Sequence, residues 1–184
     1  MDFGIFYEIQ VNSPLKHRER EYQAFHDVLK QVETAEQVGY THFWTVEHHF
    51  QVGFAHSSAP EVLYGAISQR TSKIRIGHAV VLLPFPYNHP VRVAERVATL
   101  DILSNGRVEV GTGRSATQIE LGGFGIPYKE TRTMGGSARH YHDHLEEPRR
   151  HLFLQRQVLR HSGTHRGADA DSEAASSDVG CLHR

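Results

Sequence analysis

A glutamate followed by two adjacent histidines is the first group of residues that could do chemistry. Residues 43–50 read FWTVEHHF, an apolar run of high β propensity that ends in Glu47, His48 and His49. An imidazole titrates near neutral pH, so it suits proton transfer or metal binding. Adjacent side chains on a strand diverge, which argues against both histidines holding one ion. Proton transfer is the chemistry to expect if this strand end faces a cleft, and a hydrogen-bonded structural role is the alternative.

A glycine-rich loop with a fixed cation lies at 111–116, which reads GTGRSA. A GxGxxA pattern after a strand is typical of dinucleotide-binding loops, in which backbone N–H groups approach a pyrophosphate. Two features argue against a nicotinamide site: glycines and Pro127 interrupt the following residues, and no acidic residue ends a further strand about 20 residues on. Gly113 followed by Arg114 still suits a phosphate group in general. A small nicotinamide-binding domain is therefore the less favoured alternative.

The histidine-rich tail contains a third candidate, the triplet His140, His142 and His144 with Asp143 between them. In a segment with few apolar residues such ligands lack surrounding groups to orient them. We therefore predict no metal site.

The composition excludes several classes of function. The 184 residues include 20 basic and 21 acidic side chains, so no net field favours nucleic acid or an anionic membrane. A single cysteine, Cys181, excludes an intrachain disulfide. The first ten residues carry no signal-peptide pattern, and the longest apolar run, around 79–85, is too short to cross a bilayer. We expect a soluble, cytoplasmic protein with no nucleic-acid or membrane partner.

A repeated pattern up to about Thr133 indicates the elements that position these residues. Apolar, β-prone runs at 3–9, 43–46, 74–83 and 107–113 alternate with helical periodicity. Such alternation predicts parallel βαβ units. These units fit either a doubly wound sheet or half of a (β/α)8 barrel. A complete barrel is excluded because it needs about 250 residues. The pattern alone leaves both architectures open.

The candidate residues all follow the carboxyl ends of predicted strands, at 47–49, 79–84 and 113–114. In either parallel architecture, ligands bind at this end of the strands. The order therefore predicts one cleft lined by a titratable pair, small residues that expose their backbone, and an anchoring cation.

Taken together, the motifs resemble the bacterial-luciferase-like, flavin-dependent monooxygenases. The resemblance covers residues 2–134 and rests on FGIFYEIQ, FWTVEHHF, IGHAVVLLPF and NHPVRVAERVATLDILSNGRVEVGTGRS. The ordered set EHHF, HPVR-AE and LD-S-GR is more specific than any one of these motifs. The resemblance implies an α/β fold that is a partial (β/α)8 TIM barrel of about four βα units.

The resemblance also implies roles for individual residues. The family uses reduced flavin, usually FMN, and O2 to oxidise a small organic substrate, with a deazaflavin as the alternative cofactor and a flavin reductase as one source of reduced flavin. His48 would be catalytic, and Arg114 would bind the flavin phosphate. Ala79 and Val80 would form a non-prolyl cis peptide beneath the flavin ring. Gly113 stands where some members carry a reactive cysteine, so thiol chemistry is absent at that position.

The chain departs from the family pattern after residue 134. Residues 135–184 contain no Lys, Ile or Trp but hold seven of the 15 histidines, a composition typical of disorder. The family pattern would continue into four further strands. We hypothesise that 1–134 is the amino-terminal half of the barrel, and that 135–184 is a non-homologous, disordered tail translated out of frame.

Two further expectations depend on this departure. A half-barrel exposes two sheet edges, so the isolated chain should bind flavin weakly or not at all. It would then be a truncated, inactive monooxygenase, or a non-enzymatic fragment that docks on a full-length homologue. Family members commonly dimerise through the helices after strands two and three, so a homodimer or heterodimer is the implied assembly.

Overall fold

A parallel sheet carries all the candidate residues. The computed structural model describes residues 1–12, 18–115, 117–127 and 180–182. The strands in these residues are β1 (Gly4–Tyr7), β2 (His42–Thr45), β3 (Arg75–Leu82), β4 (Val108–Gly113) and β5 (Gly180–Leu182), and the helices are α1 (Arg18–Gln37), α2 (Pro60–Ser68), α3 (Pro90–Leu103) and α4 (Gln118–Gly123). The strands lie in numerical order, and β1 to β4 are parallel. The prediction of an α/β fold built from βα units is confirmed.

The last strand comes from the carboxyl-terminal segment. β5 pairs antiparallel with β4 and places Cys181 opposite Gly111. The sequence pattern does not predict this strand, because three residues are too few to show a periodicity. The rest of the segment 135–184, including the histidine triplet at 140–144, lies outside the described residues.

The larger apolar core lies between the sheet and the helices α1 and α2. Its buried members from the helices and strands include Val28, Val32, Ala35, Phe43, Leu63, Tyr64, Ile67, Ile74 and Ile76. The spacing of these residues along α1 is the i, i+3, i+4 pattern of an amphipathic helix, and this helix is followed by Gly39 at a φ of 96°. A smaller cluster joins β3 and β4 to α3. The sheet is therefore anchored on its helical side.

Sequence signals set the bounds of α2 and α3. Pro60 and Pro90 occupy the first helical positions. The His89 side chain caps α3 by accepting a hydrogen bond from a backbone N–H. After the end of α3 the chain turns at Asn105 and Gly106, whose φ values are 58° and 79°. Local sequence signals therefore mark both ends of α3.

A buried arginine fastens the amino ends of β3 and β4, at the opposite end of the strands from the candidate residues. Arg107 donates hydrogen bonds to the carbonyl oxygens of Ser104, Ile74, Ser68 and Thr71 at 2.7 to 3.0 Å and to the Thr71 hydroxyl at 2.9 Å. Ligands bind at the carboxyl ends of parallel strands, whereas Arg107 stabilises the amino ends. The role of Arg107 is therefore structural and separate from that of the candidate site.

None of the helices in the described part of the chain is both long enough and apolar enough to cross a membrane.

Candidate active site

His48 is held by a buried glutamate from α4. His48 Nδ1 lies 2.7 Å from Glu120 Oε1, and the Glu120 side chain is only 1% exposed. The backbone N–H of His49 donates to the same oxygen at 3.0 Å. Because a carboxylate only accepts hydrogen bonds, Nδ1 of His48 carries the proton in this pair. Nε2 is then the ring nitrogen that can exchange a proton with a ligand.

The second carboxylate oxygen of Glu120 is also occupied. The hydroxyls of Ser115 and Thr117 donate to Oε2 at 2.6 and 2.7 Å. Burial by itself would raise the pKa of Glu120, but the hydrogen bonds from His48, Ser115, Thr117 and the backbone of His49 lower it to about 2. Glu120 is therefore an anion at neutral pH. It fixes the orientation of His48 and offsets the positive charge formed when Nε2 accepts a proton.

The neighbouring histidine belongs to a second imidazole–carboxylate pair. His49 Nε2 lies 3.2 Å from Glu47 Oε1, and the other Glu47 oxygen accepts the backbone N–H of Leu82 at 2.8 Å. Glu47 thus joins the end of β2 to the end of β3. Among the described contacts it pairs with His49, whereas Glu120 pairs with His48.

The peptide bond between Ala79 and Val80, near the end of β3, is cis. The cis peptide implied by the family resemblance is confirmed at this position. Gly113 at the end of β4 faces it closely: a Cβ atom added at Gly113 would lie 2.2 Å from Cγ2 of Val80. Val80 therefore occupies the space that a side chain at 113 would need. A cysteine does not fit there unless Val80 moves.

Arg114 follows β4 directly and lies on the same rim as His48. The next residue, Ser115, has a φ of 63°, and its hydroxyl bonds Glu120, which also holds His48. The residue next to Arg114 therefore shares the Glu120 carboxylate with the His48 imidazole. Of the predicted site residues, Gly113 lies against Val80, and Val80 shares the cis peptide with Ala79. Arg114 precedes Ser115, whose hydroxyl bonds the same carboxylate as His48. Their roles toward a cofactor stay predictions.

Aromatic rings line the same rim. Phe124 packs edge-on against the His49 ring at a centroid distance of 4.8 Å. It also packs against Tyr87 in a tilted arrangement at 4.6 Å. Phe54 lies 5.6 Å from the His48 ring. Phe50 covers Gly123 so closely that a Cβ atom there would lie 2.1 Å from its ring. These rings give the rim an apolar wall.

Within the described ranges, no three side chains of His, Cys, Asp or Glu come close enough to hold a metal ion. The predicted absence of a metal site also covered the histidines of the tail, and these lie outside the described residues.

Sequence reasoning missed Glu120. The residues TQIE at 117–120 match the Thr-x-x-Glu capping box, and Thr117 does cap α4 by accepting the backbone N–H of Glu120 at 3.4 Å. A capping box is a local signal, so it gives no reason to place this carboxylate against a histidine 72 residues earlier. One sequence signal could have found Glu120: the capping box opens a helix directly after the Gly113-Arg114 loop, so the first turn of this helix should lie near the rim.

The loop that resembles a dinucleotide fingerprint leads into α4, which spans only Gln118–Gly123. A dinucleotide-binding unit opens a long helix at that point. The loop instead supplies Ser115 and Thr117 to the Glu120 site.

Comparison with known proteins identifies the family of this chain. Residues 1–171 match the family described as luciferase-like monooxygenase. Limonene 1,2-monooxygenase from Rhodococcus erythropolis is 42% identical over 90 residues, which are 49% of this chain and 22% of that protein. The first curated relatives are covered over 22% to 34% of their own length.

Solved structures share the fold. Monooxygenase RslO1 from Streptomyces bottropensis aligns with a TM-score of 0.71 at 30% identity, over 80% of this chain and 44% of that one. The oxygenating constituent of 3,6-diketocamphane monooxygenase from Pseudomonas putida, solved with FMN, aligns with a TM-score of 0.66 at 23% identity, over 91% of this chain and 42% of that one. Other structures of this fold come from proteins described as F420-dependent.

These alignments settle the architecture that the sequence pattern left open: the βα units are part of a TIM barrel and not of a doubly wound sheet. The chain belongs to the luciferase-like monooxygenase family.

Proposed function

We propose that this chain carries the catalytic rim of a flavin-dependent monooxygenase that uses reduced flavin and O2 to oxidise a small organic substrate. The observation that carries the proposal is the His48–Glu120 pair, which lies on the same rim as the cis peptide at Ala79–Val80 and the cation of Arg114. A proton-exchanging group, an exposed stretch of backbone and a phosphate anchor are what such a reaction requires of the protein.

The residues present fit a flavin. Gly113 has no side chain beside Val80, so β3 and β4 approach closely where a flat ring would rest on the backbone. Ala79 and Val80 would support the ring system, and Arg114 would bind the phosphate group through a charge-assisted contact. We favour FMN as the cofactor and keep a deazaflavin as the alternative. When bound, the reduced cofactor supplies the electrons with which molecular oxygen is activated.

The protein's own part in the reaction is proton transfer and exclusion of water. His48 exchanges a proton at Nε2 while Nδ1 stays bonded to Glu120. Because Glu120 is already ionised and fully hydrogen-bonded, it need not move when His48 changes its charge. The rings of Phe50, Phe54 and Phe124 provide apolar contact for an organic substrate and shield the rim.

We propose that α2 and α3 form an interface with a second copy or with a full-length homologue. Val62 on α2 is 72% exposed, and Ile102 and Leu103 at the end of α3 are also exposed. Exposed aliphatic side chains on two adjacent helices suit a protein partner better than water. A flavin reductase would be a separate partner that supplies reduced flavin in the cytoplasm.

A non-enzymatic role is the second candidate. Phe6 in β1 is 56% exposed, and the chain spans 22% to 34% of the length of its first curated relatives. In a closed barrel such a side chain would be covered by further strands. We propose that the isolated chain binds flavin weakly. We also propose that 1–134 and 135–184 differ in origin through a frameshift, although the family match runs to residue 171. Sequencing the gene through codons 125–150 tests the frameshift, which is refuted if neither alternative frame encodes a second half-barrel.

Oxygenation assays separate the two candidate functions. Reduced FMN from a flavin reductase is supplied to the chain alone and to the chain mixed with a full-length homologue inactivated at its own EHH histidine, together with small apolar substrates. Oxygen-dependent product above the level of free reduced FMN, lost in His48→Gln, supports the enzymatic proposal. Absence of product in both samples refutes it and favours the non-enzymatic role.

A further inference from the structure

A hydrogen-bonded chain connects α3 to the second imidazole–carboxylate pair. Arg96 of α3 donates to Asn88 Oδ1 at 2.6 Å. Asn88 Nδ2 in turn donates to Glu47 Oε1 at 3.1 Å and to the carbonyl oxygen of Leu82 at 2.9 Å. Glu47 receives the Leu82 N–H and lies next to His49. Both backbone polar groups of Leu82, the last residue of β3, are therefore held by this chain of side chains.

The amide of Asn88 uses all of its directed groups in this arrangement. Its oxygen accepts from Arg96, which can only donate, and its NH2 group faces a carboxylate and a carbonyl oxygen, which can only accept. The reverse orientation of the amide would place NH2 against the guanidinium and oxygen against Glu47. The surroundings therefore fix the amide in one orientation.

This arrangement controls two parts of the candidate site. It holds the carboxyl end of β3, three residues after Ala79, and it holds the carboxylate beside His49. The His49 ring packs edge-on against Phe124, the residue that follows α4. Helix α4 carries the Glu120 that binds His48. A substitution at Asn88 should therefore affect both the end of β3 and the position of the His49 ring.

We infer that Asn88 is a positioning residue of this site: through Glu47 it fixes the end of β3 and the His49 imidazole, and Arg96 orients its amide. The meaning of that position for flavin chemistry rests on the proposed function, whereas the hydrogen-bonded geometry does not. This role also explains why the NHPVRVAER motif contains Asn88 and Arg96, which the start of the helix alone does not explain.

Asn88→Asp is the sharpest perturbation. The variant keeps the shape of the side chain and an acceptor for Arg96, but it loses both donor contacts and places a second carboxylate about 3 Å from Glu47, where like charges repel. Arg96→Gln is a milder variant that weakens the orientation of the amide and also removes the ion pair between Arg96 and Glu61 of α2 at 3.4 Å. Arg92→Gln is the matched control, because Arg92 lies on α3 and pairs with Glu95 at its exposed surface.

The effect is measured by NMR on the full chain, as the amide hydrogen-exchange rate of Leu82 compared with that of Leu83. The Leu82 N–H donates to Glu47, whereas the Leu83 N–H donates to the carbonyl oxygen of Gly113 across the sheet. In Asn88→Asp we expect Leu82 to exchange at least about tenfold faster relative to Leu83, because the new carboxylate repels Glu47 and so weakens the charge-assisted hydrogen bond that the Leu82 N–H donates to Glu47. Nitrogen-15 shifts of the His49 ring should also change more than those of His48. Arg96→Gln should show smaller changes in the same direction, and Arg92→Gln none.

An equal increase at Leu82 and Leu83 would mean that Asn88 serves general stability only, and the inference would be refuted. No change in the ratio would refute it as well. If Asn88→Asp does not fold, the ratio in Arg96→Gln decides. FMN titration of the same samples keeps the two proposals apart: failure of the wild type to bind FMN counts against the proposed function and leaves the exchange result unaffected.

Discussion

Replacement of Glu120 by glutamine tests the electrostatic account of the site. The amide in Glu120→Gln has nearly the same shape and can still accept the Nδ1–H of His48, and the hydroxyls of Ser115 and Thr117 can rotate to accept from it. The variant therefore removes the negative charge with little change in packing. In the wild type, four hydrogen-bond donors stabilise the ionised form of the Glu120 carboxylate. The variant loses this stabilisation of the folded state.

The magnitude follows from the pKa of Glu120. The hydrogen bonds hold it at about 2, against an ordinary value of 4.5, despite the opposing effect of burial. A difference of that size corresponds to about 3 kcal/mol of folding stability at neutral pH. Because the folded pKa is depressed, this stability is fully present above the unfolded pKa of 4.5 and is lost as the pH falls from there toward about 2.

Urea denaturation of the wild type and of Glu120→Gln at a series of pH values between about 7 and 3 measures this contribution. We expect the variant to be less stable by about 2–3 kcal/mol at neutral pH, and the gap to narrow steadily below pH 4.5. Glu95→Gln is the control, because its surface pair with Arg92 should change stability by less than about 0.5 kcal/mol at any pH. A gap that stays constant with pH, or no gap at neutral pH, would refute the reasoning.

Three further substitutions have definite expected outcomes. Gly113→Ala forces a Cβ atom against Val80, so we expect a loss of about 1–3 kcal/mol in thermal melts and weaker FMN binding, with partial recovery in the double variant with Val80→Ala. Arg107→Met leaves five buried acceptor contacts unmade, and urea denaturation should show a loss of at least about 3 kcal/mol, whereas Arg92→Met should show almost none. Glu36→Gln removes a carboxylate whose pKa is lowered, despite burial, by N–H groups of residues 72–74. The loss of stability, measured by urea denaturation, should be present at neutral pH and shrink below about pH 4.

The βα units could be predicted because their signals are local. The apolar spacing of α1, the prolines that open α2 and α3, and the turn at Asn105 and Gly106 each depend on neighbours in sequence. The approach of His48, Gly113 and Arg114 was also predictable, since carboxyl ends of parallel strands meet at one edge. The cis peptide came from family resemblance alone, because nothing in the chemistry of Ala79 and Val80 favours it.

The partners that hold these residues could not be predicted in the same way. Glu120 belongs to a capping box, and Asn88 directly precedes the His89 cap of α3, so neither residue calls for a distant partner when the sequence is read alone. Their contacts with His48 and Glu47 span 72 and 41 residues. Such contacts depend on how loops fold over the rim, which periodicity does not describe. The architecture itself was ambiguous for a similar reason, because four parallel units precede the point at which a barrel and an open sheet differ.

Titration with FMN and with riboflavin tests most directly whether this rim is a flavin site. The two ligands share the ring system and differ in the phosphate, so their difference in affinity reports on the Arg114 anchor. We predict weak, saturable binding of FMN, at least about tenfold tighter than that of riboflavin, and loss of the difference in Arg114→Ala. Equal binding of the two ligands by the wild type, or a difference that survives in Arg114→Ala, would contradict the account.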